Sequence, residues 1–598
     1  MKVLLRVFIL TVIASTTLSA QRKPAKNYDP TLNEYIKILS PKDSIAKIQL
    51  PPGYSLEPVL SEPHITEPVD CVFDGNGRMY VVQMNTYMQD ADASNQLYQN
   101  SRITMHEDTN GDGKYDKHST FVEELKLPRM ILPLERGIVV GTTDTNNLIL
   151  YRDTDGDGKA DKSSLYFDGG KRGGSPENQP SGLIWSIDNW VYTTHNSTRY
   201  KLGTAQLSRV EPTAPNQGQW GLTQDNYGKP WYVNGDDEIG PVNYQFPNVY
   251  GSSSHFADQM EKNFREVYPI CPMPDVESGP ERLKPLRSGG EVLNHFTATC
   301  GPNIFRGDRL PASLRNDLLF AEPVGRLIRR ANINIKDGVT TLSNAHPQSE
   351  FIRSKDPNFR PVNIKTAPDG TLYIVDMYRG IIQEGNKTRP GTYLRTVIDQ
   401  YGLERNTQHG RIYRLIHKDF KRGPNPKMIG VKSSGLVKYL KHPNGWWRDT
   451  AQKILVLRRD RTIESHLLKL LEDSNHLARI HSLWTLEGTG ALTFNHVKKA
   501  LNDKEPAVIR AGIRVAESLI KSQHYSSKSL EELISKHINS YDPQVVMQTI
   551  LTANFLKFEN LEELKNIALK SSSSGVRQTL EGIFPLSDTD PSLPQELK

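Results

Sequence analysis

The sequence predicts two domains, an all-β six-bladed β-propeller followed by an all-α solenoid of HEAT- or armadillo-like helical hairpins. Three observations predict it. A turn-plus-strand unit recurs between about residues 50 and 415, an Asp-rich segment occurs twice, and a helical pattern repeats after about residue 430. With 598 residues the chain is long enough for two or more domains.

The recurring β unit is an Asp followed by Gly or Asn, with a Tyr shortly afterwards in an apolar strand. Asp-Gly and Asp-Asn reverse the chain because these residues tolerate positive φ or bond their own backbone, and aromatic residues suit the pleated strand that follows. Such a unit repeated over this length is typical of propeller blades of about 40–50 residues. The copies are Asp74-Gly75 to Tyr80, Asp188-Asn189 to Tyr192, Asp225-Asn226 to Tyr232, and Asp369-Gly370 to Tyr373.

The helical pattern has a period of 31 residues. Trp446-Trp447-Arg448, Ala478-Arg479 and Ile509-Arg510 mark equivalent positions, with the arginines at 448, 479 and 510, and Val576-Arg577 begins a further unit. A turn precedes each of them and apolar residues at helical spacing follow. Helical hairpins that cannot bury a face alone must stack on one another, so the repeat predicts a solenoid over 430–590.

The N-terminus resembles a secretory signal. Lys2 and Arg6 precede a short apolar run, and small residues lie before Gln21. We expect a signal peptide at 1–20, a linker at 21–45, the propeller at 46–418, and an exported protein that is periplasmic or secreted. A short N-terminal anchor is the alternative, and no later segment is apolar enough to span a membrane.

Composition excludes several classes. The formal charge of +6 falls to +4 without Lys2 and Arg6, and no long basic run exists, which argues against nucleic-acid binding. Three cysteines occur without a Cys-x-x-Cys-His motif, so the chain carries no covalent c-type haem. Phosphate-loop, dinucleotide-binding, Gly-x-Ser-x-Gly and His-Glu-x-x-His motifs are missing from the sequence.

Two Asp-rich segments begin 45 residues apart, at 108 and 153, and each has Asp or Asn at positions 1, 3, 5 and 9 with Gly at position 6. Oxygen ligands in this order begin a calcium loop, but position 12 is Ser rather than the bidentate Glu of an EF-hand. We therefore predict structural Ca²⁺ in inter-strand loops; the alternative is a turn in which Asp and Gly serve backbone geometry alone. The expected ligands are Asp108, Asn110, Asp112 and Asp116, and Asp153, Asp155, Asp157 and Asp161.

Several polar segments of the propeller half are candidates for chemistry, because loops from every blade meet over the central channel. We select Arg360, Asp376 and Arg379, with His195 as a candidate base; an Arg holds an oxyanion and a His accepts a proton. A single predicted strand at 371–375 would place Arg360 and Arg379 on opposite rims, so Asp376 and Arg379 form the more coherent pair. The alternative is a buried ion pair that locks the last blade.

The chain also resembles a family of exported bacterial proteins, the membrane-bound dehydrogenase-like or PVC-type haem-binding proteins, whose propeller is similar to soluble quinoprotein glucose and sorbosone dehydrogenases. The resemblance covers roughly 50–590. Its most specific run extends from Phe359-Arg360-Pro361-Val362 through Ala367-Pro368-Asp369-Gly370 to Asp376-Met377-Tyr378-Arg379-Gly380. Further matches are Phe73-Asp74-Gly75-Asn76-Gly77, Pro180-Ser181-Gly182-Leu183-Ile184-Trp185, Gly218-Gln219-Trp220-Gly221 and Gly410-Arg411-Ile412-Tyr413-Arg414, which looks like a closing strand.

This resemblance implies an oxidoreductase that acts on a sugar or related alcohol, uses a quinone such as PQQ, and passes electrons to a separate carrier. Many relatives carry a cytochrome c module, which this chain lacks, and the position of a quinoprotein base is occupied by Asn178 or Gln179. The alternative is a non-catalytic scaffold for carbohydrate or protein partners, the latter bound through the HEAT-like region.

Overall fold

The structure is a computed structural model. It describes residues 35–203, 207–216, 218–235, 240–251, 259–277, 279–522 and 527–584. The predicted signal peptide and the first part of the predicted linker lie outside these ranges. Residues 35–45 run along the propeller: the helix Pro41–Ile45 is capped by Ser40, and the Leu39 amide donates to the Tyr378 hydroxyl at 3.0 Å.

The N-terminal part is a six-bladed β-propeller, as predicted. Its blades are antiparallel sheets in which the first strand lies next to the central axis and the other strands follow outward in order. Blade 1 contains Pro68–Phe73, Met79–Gln83, Ser101–Glu107 and Lys117–Leu125; blade 2 Pro128–Leu134, Gly137–Thr142, Leu148–Arg152 and Lys162–Phe167; blade 3 Ile184–Trp185, Val191–Tyr192, Thr198–Leu202 and Leu207–Pro212. Blade 4 contains Leu222–Gln224, Pro230–Asn234 and Gly240–Val242; blade 5 Cys300–Ile304, Leu318–Glu322, Leu327–Lys336 and Val339–Asn344; blade 6 Pro361–Thr366, Leu372–Asp376, Arg411–His417 and Tyr54–Ser61. In blade 5, Ile352–Ser354 also pairs with Leu327–Lys336, and Ile48–Gln49 pairs with Ile352–Ser354.

Blade 6 closes the ring. Its outermost strand, Tyr54–Ser61, comes from the start of the propeller and pairs along its length with Arg411–His417 from the end. This joins the two ends of the propeller domain through backbone hydrogen bonds and leaves no gap in the ring. A separate hairpin, Leu283–Pro285 with Glu291–Leu293, lies in the long connection between blades 4 and 5.

The tyrosines of the recurring unit pack in the propeller core. Tyr80, Tyr192, Tyr232 and Tyr373 each lie in the second strand of a blade and are at most 3% exposed. Tyr80, for example, packs with Ile131 and Val140 of the next blade. The Asp turn before each tyrosine therefore joins the first and second strands of its blade, and all these turns lie on one face of the propeller.

The C-terminal part is helical. Five longer helices, Gly445–Arg458, His476–Thr489, Pro506–Ser522, Pro543–Leu556 and Ser574–Ile583, pack side by side in chain order. The short helix Ser433–Leu436 precedes the first of them, and four shorter helices lie between them: Glu464–Leu470, Phe494–Leu501, Ser527–Ser535 and Leu561–Ala568. One more described helix, Tyr393–Tyr401, belongs to a propeller loop. Within the described ranges, no helix is both long and apolar enough to cross a membrane.

The helical layer covers the propeller face that carries the Asp turns. The Asn189 amide of blade 3 donates to the Trp484 carbonyl at 2.7 Å, and Asn444 donates to the Ala367 carbonyl of blade 6 at 2.9 Å. In blade 5 Arg306 forms an ion pair of 2.6 Å with Asp449. The Asp turns between the first and second strands of the blades therefore also bind the helical domain. The opposite face of the propeller is not covered by the described helical layer and can carry a ligand site.

Candidate functional site

An axial cavity lies at the face of the propeller opposite the helical layer. All six blades contribute to its wall through residues at or just before the start of the innermost strand. At the other end of the channel, residues 446–453 of the first long helix line the space between the blades. The wall includes Asp70, Arg129, Ser181, Gly182, Trp220, Gly221, Cys300, Val362 and Asn363, together with Tyr87, Glu177, Gln219, Glu277, Met377 and Gln383 from loops.

Arg129 is the most unusual residue of this wall. It is 4% exposed, and its Nη1 donates to the Pro176 carbonyl at 2.5 Å, while Nε and Nη2 are buried with no partner among the described residues. Its guanidinium lies 4.4 Å from the centre of the Trp220 ring. Burial lowers the pKa of Arg129 to about 9. A buried guanidinium with unpaired donors is costly unless an anion satisfies it, which indicates a ligand-binding group.

Neighbouring side chains give the cavity further polar groups. The Gln383 amide nitrogen is buried without an acceptor in the described structure, and Tyr87 donates its hydroxyl to the Ile382 carbonyl at 3.3 Å. Glu177 lies on the short 3₁₀ helix Pro176–Asn178, whose first carbonyl holds Arg129. One arginine, a carboxylate, amides and aromatic rings together can bind a small molecule that carries an anionic group and several hydroxyls.

Asp70 and Glu277 of the wall are held in ion pairs. Asp70 forms an ion pair of 2.9 Å with Lys365, and Glu277 lies 3.2 Å from Arg282 and 3.3 Å from Lys387. Their charges are therefore largely compensated within the protein.

The selected residues Arg360, Asp376 and Arg379 lie behind this wall, each 0% exposed. Arg360 bonds to Asp275 and to the carbonyls of Pro323, Arg379 and Gly380. The assumption of one strand between the two arginines is wrong. Pro361–Thr366 and Leu372–Asp376 form an antiparallel hairpin in which Pro361 opposes Asp376, so Arg360 and Arg379 lie on the same rim.

His195 follows the second strand of blade 3 with a φ of 47°, and its backbone amide donates to Asn216 Oδ1 at 3.0 Å. It is not among the residues that line the axial cavity. The structure thus brings Arg360, Asp376 and Arg379 together and leaves His195 apart from them. Arg129 was missed, although a single arginine inside the apolar run 128–134 was a usable signal, because charged residues are rarely buried without a reason.

The two Asp-rich loops lie at the same place in successive blades, between the third and fourth strands of blades 1 and 2. In the first loop Asp108 Oδ2 accepts from Arg422 Nη2 at 2.8 Å and from Asn425 at 3.2 Å. In the second loop, oxygens of Asp153, Asp155 and Asp157 lie within 4.8 Å of one another. A guanidinium therefore forms an ion pair with the first loop, whereas none of the described basic side chains forms one with this second cluster.

We accordingly expect the second loop to bind Ca²⁺ more tightly than the first. Adding Ca²⁺ to chelator-treated protein should raise the melting temperature, since a ligand of the native state stabilises it by mass action. The double substitution Asp155→Asn with Asp157→Asn should remove most of this increase. The control is Asn110→Ser with Asp112→Asn, which changes the equivalent positions of the first loop. A melting temperature that does not respond to Ca²⁺ would contradict both sites.

Comparison with known proteins places the chain in a family. The model of a domain of unknown function, DUF7133, matches residues 40–419. The chain belongs to the DUF7133 family. This region is the propeller with the segment that precedes its first strand, and the family description assigns no activity to it. No curated protein matches the chain.

Several solved structures align with part of the chain. The holo form of a pyranose dehydrogenase PQQ domain from Coprinopsis cinerea is 14% identical, covering 62% of this chain and 97% of its own, with a TM-score of 0.32. A glucose dehydrogenase is 10% identical over 60% and 98%, with a TM-score of 0.32. An auxiliary nutrient binding protein from Bacteroides thetaiotaomicron is 10% identical over 59% and 69%, with a TM-score of 0.30. No activity, ligand or cofactor of this chain follows from these similarities.

Proposed function

We propose that the axial cavity is the substrate site of an oxidoreductase that acts on a sugar or related alcohol bearing one anionic group, and that electrons leave to a separate carrier. The observation that carries the proposal is the buried Arg129, with two unpaired N–H-bearing nitrogens in the wall where six blades meet. We also propose that the protein works in the periplasm or outside the cell, on the N-terminal pattern of the sequence.

In this proposal each polar group of the wall has a role. Arg129 binds the carboxylate of a sugar acid through Nε and Nη2. Gln383 binds a hydroxyl, and the Trp220 ring covers an apolar edge of the sugar. Oxidation of an alcohol to a carbonyl removes the hydroxyl proton, for which we propose the lining carboxylate of Glu177 as acceptor, and a hydride from the carbon. The hydride passes to the separate carrier, which we take to be a diffusible quinone that is reduced to the quinol and that the redox dye replaces in an assay.

PQQ, which the resemblance implies, does not fit this lining. It is an ortho-quinone with three carboxylates, and the wall offers one arginine with unpaired donors, Arg129. The other lining acids add negative charge or are already paired, as Asp70 is with Lys365. A single guanidinium cannot compensate three carboxylates beside Glu177, so we derive no step through PQQ.

The second candidate is a binding protein without catalysis. The favouring observation is that the described lining contains no histidine and that Asp70 and Glu277 are held in ion pairs. Both candidates predict binding of a sugar acid; only the first predicts its oxidation.

A single assay separates the candidates. Purified protein is incubated with a redox dye and either gluconate, glucuronate, glucose or sorbitol, with PQQ and Ca²⁺ added or omitted, and binding is measured in parallel by calorimetry. The proposal expects dye reduction with the acids and without a requirement for PQQ. Binding without dye reduction favours the second candidate, and no binding by any compound contradicts both.

Arg129→Gln should weaken binding of the sugar acid by roughly 30- to 100-fold, because a charge-assisted pair of hydrogen bonds contributes about 2–3 kcal/mol. Its melting temperature should stay close to wild type, since the side chain donates only to the Pro176 carbonyl and, at 3.4 Å, to the Thr143 hydroxyl among the described residues. Arg172→Gln is the control: Arg172 donates to the Asn178 carbonyl at 3.0 Å nearby but does not line the cavity. Equal loss in both variants would contradict the assignment.

A further inference from the structure

A second cavity, of about 300 Å³, lies where the propeller meets the helical layer. Its floor is the turn 225–229 of blade 4, and its walls come from blade 5 and from the helices Pro506–Ser522 and Pro543–Leu556. Much of the wall is apolar. These residues are Phe246, Ile333, Ile335, Met547 and Leu551.

Arg510 lines this cavity, and it lacks the hydrogen bonds that the arginines at the equivalent position of the other helical repeats make. At the equivalent position, Arg448, Arg479 and Arg577 each donate Nη1 to the backbone carbonyls five and six residues earlier, at 2.6–3.3 Å. Within the described chain Arg510 makes no hydrogen bond and no ion pair, and its Nε is buried without a partner. The carbonyl five residues before it, that of Glu505, instead accepts the amides of Val508 and Ile509.

Two more unsatisfied donors share the cavity. Lys229 Nζ lies 4.1 Å from the centre of the Trp231 ring and has no hydrogen bond or ion pair to any residue that the structure describes. Trp231 is 1% exposed, and its indole Nε1 is buried without an acceptor there. Burial, with a contribution from Arg510, lowers the pKa of Lys229 to about 8. An N–H group that is buried and unpaired calls for a ligand acceptor.

The charged side chains that line the cavity indicate the charge of its ligand. Asp225 is the lining acid, and its Oδ1 is taken by the amides of Tyr227 at 2.8 Å and Lys229 at 3.0 Å. Arg514, which also lines the cavity, is paired with Asp188 at 2.8 Å. Among the lining residues, Lys229 and Arg510 against Asp225 leave one net positive charge, which a monoanion balances.

We propose that this cavity binds a small organic monocarboxylate with an apolar or aromatic part. The carboxylate lies between Lys229 and Arg510 and accepts from Trp231 Nε1, and the apolar part packs against the wall formed by blade 5 and the helix Pro543–Leu556. The ligand contacts both domains, so it strengthens their docking.

The test uses the full chain, with hexanoate and benzoate as probes and hexanol and benzamide as neutral analogues. Calorimetry should show binding of the two carboxylates and not of the neutral compounds. Arg510→Gln should weaken hexanoate binding at this cavity about tenfold or more, equivalent to about 1.4 kcal/mol. It should melt close to wild type, because no hydrogen bond is lost and relief of the repulsion with Lys229 offsets the lost contact with the Tyr227 ring, whose centre lies 5.2 Å from the guanidinium.

Arg479→Gln is the matched control, since it removes the equivalent arginine of the preceding repeat. It should lower the melting temperature, because Arg479 holds two carbonyls and Asp503, but leave hexanoate binding intact. Hexanoate affinity should also fall as the pH rises through about 8, where Lys229 loses its proton, and Lys229→Met should abolish that dependence.

The axial cavity could also accept a carboxylate, so each titration is repeated with Arg129→Gln. Binding that survives this change but not Arg510→Gln belongs to the second cavity. The proposal is overturned if no carboxylate binding depends on Arg510, if neutral analogues bind equally, or if Arg510→Gln melts as low as Arg479→Gln, which would show a structural role instead.

Discussion

Replacing Arg379 with alanine should destabilise the propeller by about 3–5 kcal/mol, the cost of leaving a buried partner charge uncompensated. Arg379 is 0% exposed and its Nη1 contacts Glu67 Oε2 and the Tyr87 carbonyl, both at 2.9 Å, while Nη2 donates to the Met88 carbonyl. Glu67 precedes the first strand of blade 1, and Tyr87 follows its second. The side chain therefore fastens blade 6 to blade 1, where the ring closes.

Urea unfolding of Arg379→Ala and wild type, followed by intrinsic fluorescence, measures this difference. Arg395→Ala is the matched control, because Arg395 lies in the same long loop and its partners Asp92 and Asp399 are each 60% exposed. Exposed ion pairs contribute about 0–1 kcal/mol, so this variant should unfold almost as wild type does. If Arg379→Ala were as stable as Arg395→Ala and yet bound no sugar acid, Arg379 would be a ligand-binding residue rather than a structural one.

The fold was largely predictable because its signals are local. An Asp turn and the Tyr that follows it are a few residues apart, and the two Asp-rich loops repeat at one blade's spacing, so the sequence shows both the element type and the period. The 31-residue spacing of Arg448, Arg479 and Arg510 showed the helical repeat in the same way. The partner of the closing strand was not predictable, since Tyr54–Ser61 pairs with Arg411–His417 from the other end of the domain.

The site was less predictable because buried polar residues look alike in a sequence. Arg360 and Arg129 are both buried arginines, but Arg360 is fully bonded to Asp275 and backbone carbonyls, whereas Arg129 keeps two nitrogens without partners among the described residues. Which of the two binds a ligand depends on partners that are distant along the chain. The departure of Arg510 from its repeat is likewise visible only once the hydrogen bonds of Arg448 and Arg479 are known.

For Asp376, the pH dependence of the free energy of unfolding distinguishes a structural role from a catalytic one. Burial raises the pKa of its carboxyl to about 7, although its Oδ1 accepts the amides of Arg360 at 2.7 Å and Tyr378 at 2.9 Å. Its Oδ2 is buried without a partner among the described residues. The folded state therefore favours the protonated carboxyl, which an asparagine side chain resembles in charge and shape.

The direction of the effect follows from the two pKa values. An unfolded Asp titrates near pH 4, so the stabilisation from the protonated Asp376 is complete below about pH 4 and is lost as the pH rises through about 7. At about 1.4 kcal/mol per pH unit, the interval between these two pKa values sets an upper limit on the order of 4 kcal/mol. Asp376→Asn should thus match wild type near pH 4 and be more stable than wild type at pH 8.

Urea unfolding of both proteins between pH 4 and 8 tests this expectation. Some pH dependence should remain in Asp376→Asn, because burial also raises the pKa of Glu322 to about 7, and Glu322→Gln in the same background should reduce it further. A catalytic Asp376 would give another pattern: the asparagine variant would lose sugar-acid oxidation at every pH while keeping the pH dependence of wild-type stability. The structure favours the first outcome, since a carboxyl that is 0% exposed and outside the cavity wall affects ligands only through the packing of blade 6.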